Sequence, residues 1–165
     1  MSIFRPIRAV QPLEAVLVAN AARARLFERD AENGAMRETA GFVHPQTRLK
    51  GAALGHDRPG QAHKGVASTA FPPHTDPHQK ERAEFARELG QRLEALALAR
   101  RYPRLAVLAS NPFLGELNAE LGAATRKILQ AAVPLDLTAY DGAELEHRVA
   151  EALQEAGVPV PMAAD

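Results

Sequence analysis

The sequence predicts an α/β domain on a mixed sheet of about five strands, with elements in the order β-β-β-α-β-α-β-α. Three observations lead there. The first 43 residues hold three short strand-like segments joined by turn signals. Two later apolar runs, 105–109 and 128–133, alternate with helical periodicity. Two stretches have the form of a capping box at the start of a helical pattern. Three antiparallel strands followed by helix-linked parallel ones imply a single mixed sheet with helices on its faces. At 165 residues the chain suits one domain, able to bury about two-thirds of its unfolded surface. That domain is expected over 14–157, between an N-terminal extension (1–13) and a C-terminal tail (158–165).

In chain order, Ala15 to Ala19 is a short apolar run and reads as a buried strand. Asn20 and Ala21 make a tight turn into a second strand over 23–28. There Ala22, Ala24 and Leu26 alternate with Arg23, Arg25 and Phe27, a strand with two distinct faces. Asn33-Gly34 signals a hairpin, since both residues tolerate positive φ, and a third strand follows over 35–43. A helix opens at Asp76-Pro77-His78-Gln79 and carries Phe85, Leu89, Leu93 and Leu96 on one face, ending near Arg101. Leu105 to Ala109 has the continuous apolarity of a strand covered on both sides. A short helix starts at Asn111-Pro112 and stops at Gly122. The segment 128–133 mixes helix-favouring residues with strand length and a following proline, and reads as a strand. Asp141-Gly142-Ala143-Glu144 opens a last helix with Leu145, Val149 and Leu153 on one face, ended by Gly157 and Pro159.

Residues 44–75 fit neither period. Prolines and glycines recur through them, and structureless segments of this length inside a domain are uncommon and usually functional or disordered. Five of the six histidines lie between His44 and His78, together with Arg48, Lys50, Arg58 and Lys64. The acids there are Asp57 and Asp76, so this region is locally basic with the histidines neutral. Glycine-rich basic chain suits phosphate or RNA-backbone contact, because amides approach closely and arginine binds bidentately. The plainer reading is a solvated loop with no ligand.

Elsewhere the composition mostly excludes. Lys plus Arg and Asp plus Glu both number 20, so the net formal charge is zero, unlike a general nucleic-acid binder. The absence of cysteine removes disulfides, thiolate nucleophiles and cysteine-based zinc sites. No apolar run has signal-peptide or membrane-spanning length, so the expectation is a cytoplasmic protein with no membrane insertion. His56 with His63, and His74 with His78, raise a metal site, but no clustered carboxylate accompanies them and no metal or cofactor is expected. Ser110 follows a buried strand, a place where active-site serines occur, yet no nucleophile elbow or phosphate-binding glycine motif is present; helix capping is its plainer role. The expected element order resembles that of the ribonuclease H fold, whose nucleases need several carboxylates on two metals. Asn20 and Ala109-Ser110-Asn111 stand where acids would be required.

Several motifs together carry a family resemblance. The stretch Val16 to Phe27, Phe42-Val43-His44-Pro45 with Arg48-Leu49-Lys50, Asp57-Arg58-Pro59-Gly60, His74-Thr75-Asp76-Pro77, Phe85-Ala86 and Asp136-Leu137-Thr138 before Glu144-Leu145 resemble a bacterial family named for being required for attachment to host cells. They span roughly 14–150. That family is regarded as related to the middle domain of archaeo-eukaryotic peptide release factors, which implies a ribonuclease-H-like, translation-component fold. Release factors carry a Gly-Gly-Gln tip on a long loop that promotes peptidyl-tRNA hydrolysis. The corresponding stretch here reads Pro59-Gly60-Gln61. Gln61 is the one candidate catalytic group, and proline forbids the backbone geometry that the first glycine permits. The leading expectation is therefore a non-enzymatic RNA- or ribosome-associated binding domain. Arg48, Lys50, Arg58, Gly60, Gln61, His63 and Lys64 would be its contact residues, and the ribosome, tRNA or other RNA its partner. Alternatives are a cytoplasmic factor that affects attachment through a protein partner, and a peptidyl-tRNA hydrolase with a degenerate tip.

Overall fold

A computed structural model describes residues 13–44 and 77–159. Strand β1 (Leu13–Ala19) is buried from Glu14 onward, the consequence of an apolar sequence covered on both faces. It pairs antiparallel with β2 (Arg23–Asp30), Leu17 opposite Leu26, and β2 pairs antiparallel with β3 (Met36–Val43). Helix α1 (Pro77–Leu98) leads to β4 (Leu105–Ala109), then α2 (Phe113–Glu120), α3 (Ala123–Ile128), β5 (Leu129–Val133) and α4 (Gly142–Glu155). The strands lie in the order β3-β2-β1-β4-β5, with β4 parallel to β1 and β5 parallel to β4. The five-stranded mixed sheet expected from the sequence is thus the observed one.

Alternation along the strands divides the core in two. Leu17, Leu26, Leu105 and Val107 face Phe85 and Leu89 of α1 and Phe113 and Leu117 of α2. Val16, Val18, Phe27, Ala106 and Leu108 face Leu145, Val149 and Leu153 of α4. Each such side chain taken fully out of water contributes about 1.5–3 kcal/mol. Among the described residues no helix is long and apolar enough to cross a membrane.

Four local expectations are corrected. The chain makes an unexpected helix, α3, just after Gly122, because its N-terminal amides are capped from a distance. Ala124 and Thr125 donate backbone N–H bonds of 3.1 and 2.9 Å to the Glu94 carboxylate of α1, and the Thr125 hydroxyl adds a third at 2.8 Å. A Cβ on Gly122 would lie 2.4 Å from Glu94 Oε1, so only glycine admits that carboxylate. The β2–β3 connection is not a two-residue turn. Gly34 alone takes positive φ (79°), while the Asp30 carboxylate accepts from the amides of Glu32 and Asn33. Helix α1 stops at Leu98: Arg100 takes a left-handed φ of 56°, and the amides of Arg100 and Arg101 donate back to the carbonyls of Ala97 and Leu96. Gly157 performs the same stop for α4 at φ 90°, as expected. Asp141 precedes α4 but makes no side-chain cap, because its carboxylate is taken by Arg25 at 2.7 Å. The expected cap Asp76 lies outside the described residues.

Candidate functional site

The residues expected to make contact, Arg48, Lys50, Arg58, Gly60, Gln61, His63 and Lys64, fall outside the described residues, as do His56 and His74. What the structure shows is the pair of flanks from which that segment leaves and to which it returns. Val43 is opposite Arg23 at the end of β3, and the His44 amide donates to the Ala22 carbonyl at 3.0 Å. The His44 ring is buried, stacked on Phe85 of α1 with centroids 5.1 Å apart, and Phe85 in turn stacks on Phe113. His44 Nε2 lies 2.7 Å from the Glu81 carbonyl oxygen. A carbonyl can only accept, so Nε2 carries the proton. A histidine read from the sequence as part of a basic loop is therefore a core residue that fastens the end of β3 to the first turns of α1.

Beside this stem, at the end of β1, lies a polar cluster that joins two motifs more than a hundred residues apart. Asn20 donates through Nδ2 to Asp136 Oδ2 (3.0 Å) and Thr138 Oγ1 (3.1 Å), and its Oδ1 accepts the amides of Ala22 and Arg23. Thr138 donates its amide and its hydroxyl to Asp136 Oδ1 at 2.9 and 2.7 Å. Arg23 and Arg25 both donate to the Thr138 carbonyl, and Arg25 also reaches the Tyr140 carbonyl, Glu38 and Asp141. Burial works to raise the pKa of Asp136, but the hydrogen bonds from Asn20 and Thr138 and the nearby Arg23 outweigh it and hold the carboxyl below its ordinary value. Burial likewise works against the Arg25 charge, and its bonds to Glu38 and Asp141 prevail.

Both Asn20 amide hydrogens and both Asp136 oxygens are engaged, so the cluster acts as a clasp that ties the β1–β2 turn to residues 136–138. Ser110 serves the start of α2 through its backbone, its carbonyl accepting from Leu114, and the side-chain cap expected of it is not made. Among the described residues no three His, Cys, Asp or Glu side chains are grouped to hold a metal ion.

At the opposite end of β1 is a group that no sequence pattern singled out. Glu14 is 2% exposed and accepts from Arg29, from Arg104 at 3.4 Å and from Gln130 at 2.8 Å. A carboxylate this buried persists because it is paired and hydrogen-bonded. Its only sequence signal is a charge inside an apolar strand.

The profile of a protein family described as "Protein required for attachment to host cells" matches residues 15–149. The chain belongs to this family. The host-attachment match includes the Asn20–Arg25 and Asp136–Thr138 segments that the clasp brings together. No curated protein matches the chain. Among solved structures it is similar to a chain titled "PilM-PilN type IV pilus biogenesis complex", at 15% identity and a TM-score of 0.38. That match covers 90% of this chain and 47% of the other, so the host-attachment chain spans about half the length of that protein.

Proposed function

We propose that this host-attachment family member is a non-enzymatic binding domain that contacts RNA or the ribosome through its basic His- and Gly-rich segment. One observation carries the reading. In a chain of zero net formal charge, residues 45–76 hold four Lys or Arg against two Asp. The described residue before that segment, His44, is fastened to α1 four residues after Pro77. A fixed stem beneath an excess of positive charge is what a phosphate-contacting loop requires. The strand order β3-β2-β1-β4-β5 supports the ribonuclease-H-like type and the kinship with the release-factor middle domain that the resemblance implies. On this reading the protein works in the cytoplasm, and any effect on attachment is indirect, through RNA or a protein partner.

The test is co-sedimentation with ribosomes across a salt series. The wild-type protein is expected in the pellet at low salt. Joint replacement of Arg48, Lys50, Arg58 and Lys64 by alanine should release it and flatten the logarithmic salt slope by up to about 3. Failure of the wild-type protein to bind ribosomes, tRNA or other RNA at low salt would sink the proposal. The same preparation tests hydrolysis: peptide release from stalled ribosomes that Gln61→Ala abolishes would assign an enzyme instead.

A further inference from the structure

On the face covered by α1 and α2, α1 leaves a cleft of about 390 Å³ between its C-terminal half and strands β2 and β3. Leu17, Leu26, Leu89 and Leu93 form its floor, all of them buried. The size falls within the range of small-ligand sites, about 300–1,000 Å³, where a mostly apolar wall with a few placed polar groups is the usual pattern. The polar groups here are of one sign. Arg92 and Arg101 line the cleft, and none of its described lining residues is acidic.

Each arginine is held by a ring rather than by a carboxylate. The Arg92 guanidinium carbon lies 5.1 Å from the Phe42 centroid, and that of Arg101 lies 5.7 Å from the Tyr102 centroid. An acid that Arg101 feels electrostatically, Glu28, is already engaged: it accepts from Arg37 at 2.6 Å and from the Tyr102 hydroxyl at 2.7 Å. A guanidinium over an aromatic face keeps its in-plane N–H groups available, the geometry that grips a carboxylate bidentately. Thr39 adds a hydroxyl whose proton goes to the Leu26 carbonyl.

We propose that this cleft binds a small amphiphilic carboxylate, with its hydrocarbon body on the leucine floor and its head group at the Arg92 and Arg101 rim. Apolar burial supplies the affinity, and the two arginines at the rim select the charge. None of the residues argued for here belongs to 45–76, and the proposal stands or falls independently of RNA binding.

Decanoate is the probe, titrated into the full chain by calorimetry, with decyltrimethylammonium and decanol as charge controls. Decanoate is expected to bind one to one and the cationic analogue not to bind. Arg92→Gln and Arg101→Gln should each weaken decanoate by about tenfold, the scale of one charge-assisted hydrogen bond. Ala95 and Ala99 line the cleft from exposed positions, so Ala95→Trp should block it while thermal unfolding stays cooperative; Ala99→Trp serves if the first variant fails to fold. No heat with millimolar decanoate, equal binding of the cationic analogue, or undiminished binding by both tryptophan variants would overturn the proposal. Self-association of the chain that Ala95→Trp abolishes would also overturn it, by giving the cleft to a second copy.

Discussion

Asn20 makes four hydrogen bonds with one side chain, and two of them hold down backbone amides of the β1–β2 turn. Asn20→Ala should cost about 1–3 kcal/mol, the scale for stranding partly buried polar partners, measured by chemical denaturation at neutral pH. The cost should depend on pH. Asp136 is held below its ordinary value in the folded protein, so its contribution is fully present above the unfolded carboxyl pKa and is lost as pH falls through the folded one. The gap between wild type and variant should therefore narrow in acid without closing, since the bonds to the Ala22 and Arg23 amides do not titrate; a stability gap unchanged down the acid range would show that the Asn20–Asp136 bond does not matter. Sequence reading picked out Asn20 as the residue standing where a catalytic acid would be needed, and Asp136 as part of a motif. That they are partners was not legible, since 116 positions separate them and neither residue type implies the other. Asp141 shows the converse. Its spacing to Glu144 is that of a capping box, but Arg25 from β2 outcompetes the amides of α4 for its carboxylate.

Helices here are shaped by their neighbours as much as by their own residues. Gly90 sits inside α1, where alanine would ordinarily gain about 1 kcal/mol of helix propensity. A Cβ at that position would lie 2.6 Å from the Glu120 carbonyl oxygen at the end of α2. Gly90→Ala should therefore destabilise by about 1–2 kcal/mol, overlap outweighing propensity; a raised melting temperature would show that the α1–α2 contact yields freely. Elements marked by period and punctuation were legible in the sequence: the strands, the long α1 with its Phe85, Leu89 and Leu93 face, and α4 with its Gly157 stop. Helix α3 was not, because its cap, Glu94, belongs to a different helix. The early stop of α1 was also hidden, since Arg100 adopts a conformation that usually announces itself as glycine.

For the molecule as a whole, the contact residues expected from the sequence lie beyond the described ones, while the strand and helix that flank them were legible and the tie between the two was not. His44 was counted there among the basic-loop histidines, yet burial against Phe85 makes it part of the core. Because the stem closes on itself, replacing residues 46–75 by a short Gly/Ser linker should leave a cooperatively unfolding domain. A fourfold shorter connection should add about 1 kcal/mol of stability, and ribosome co-sedimentation should disappear. Loss of cooperative unfolding would mean that the replaced segment is part of the core. The clasp and the second core face have one more consequence, in the order of synthesis. Residues 136–141 and α4 are the last described parts to emerge, and they alone among the described helices cover Val16, Val18 and Phe27. Until they arrive, the meander is a finished sheet with one oily side still wet. Burial of that side waits on α4, so the order of synthesis leaves it for last among the described helices.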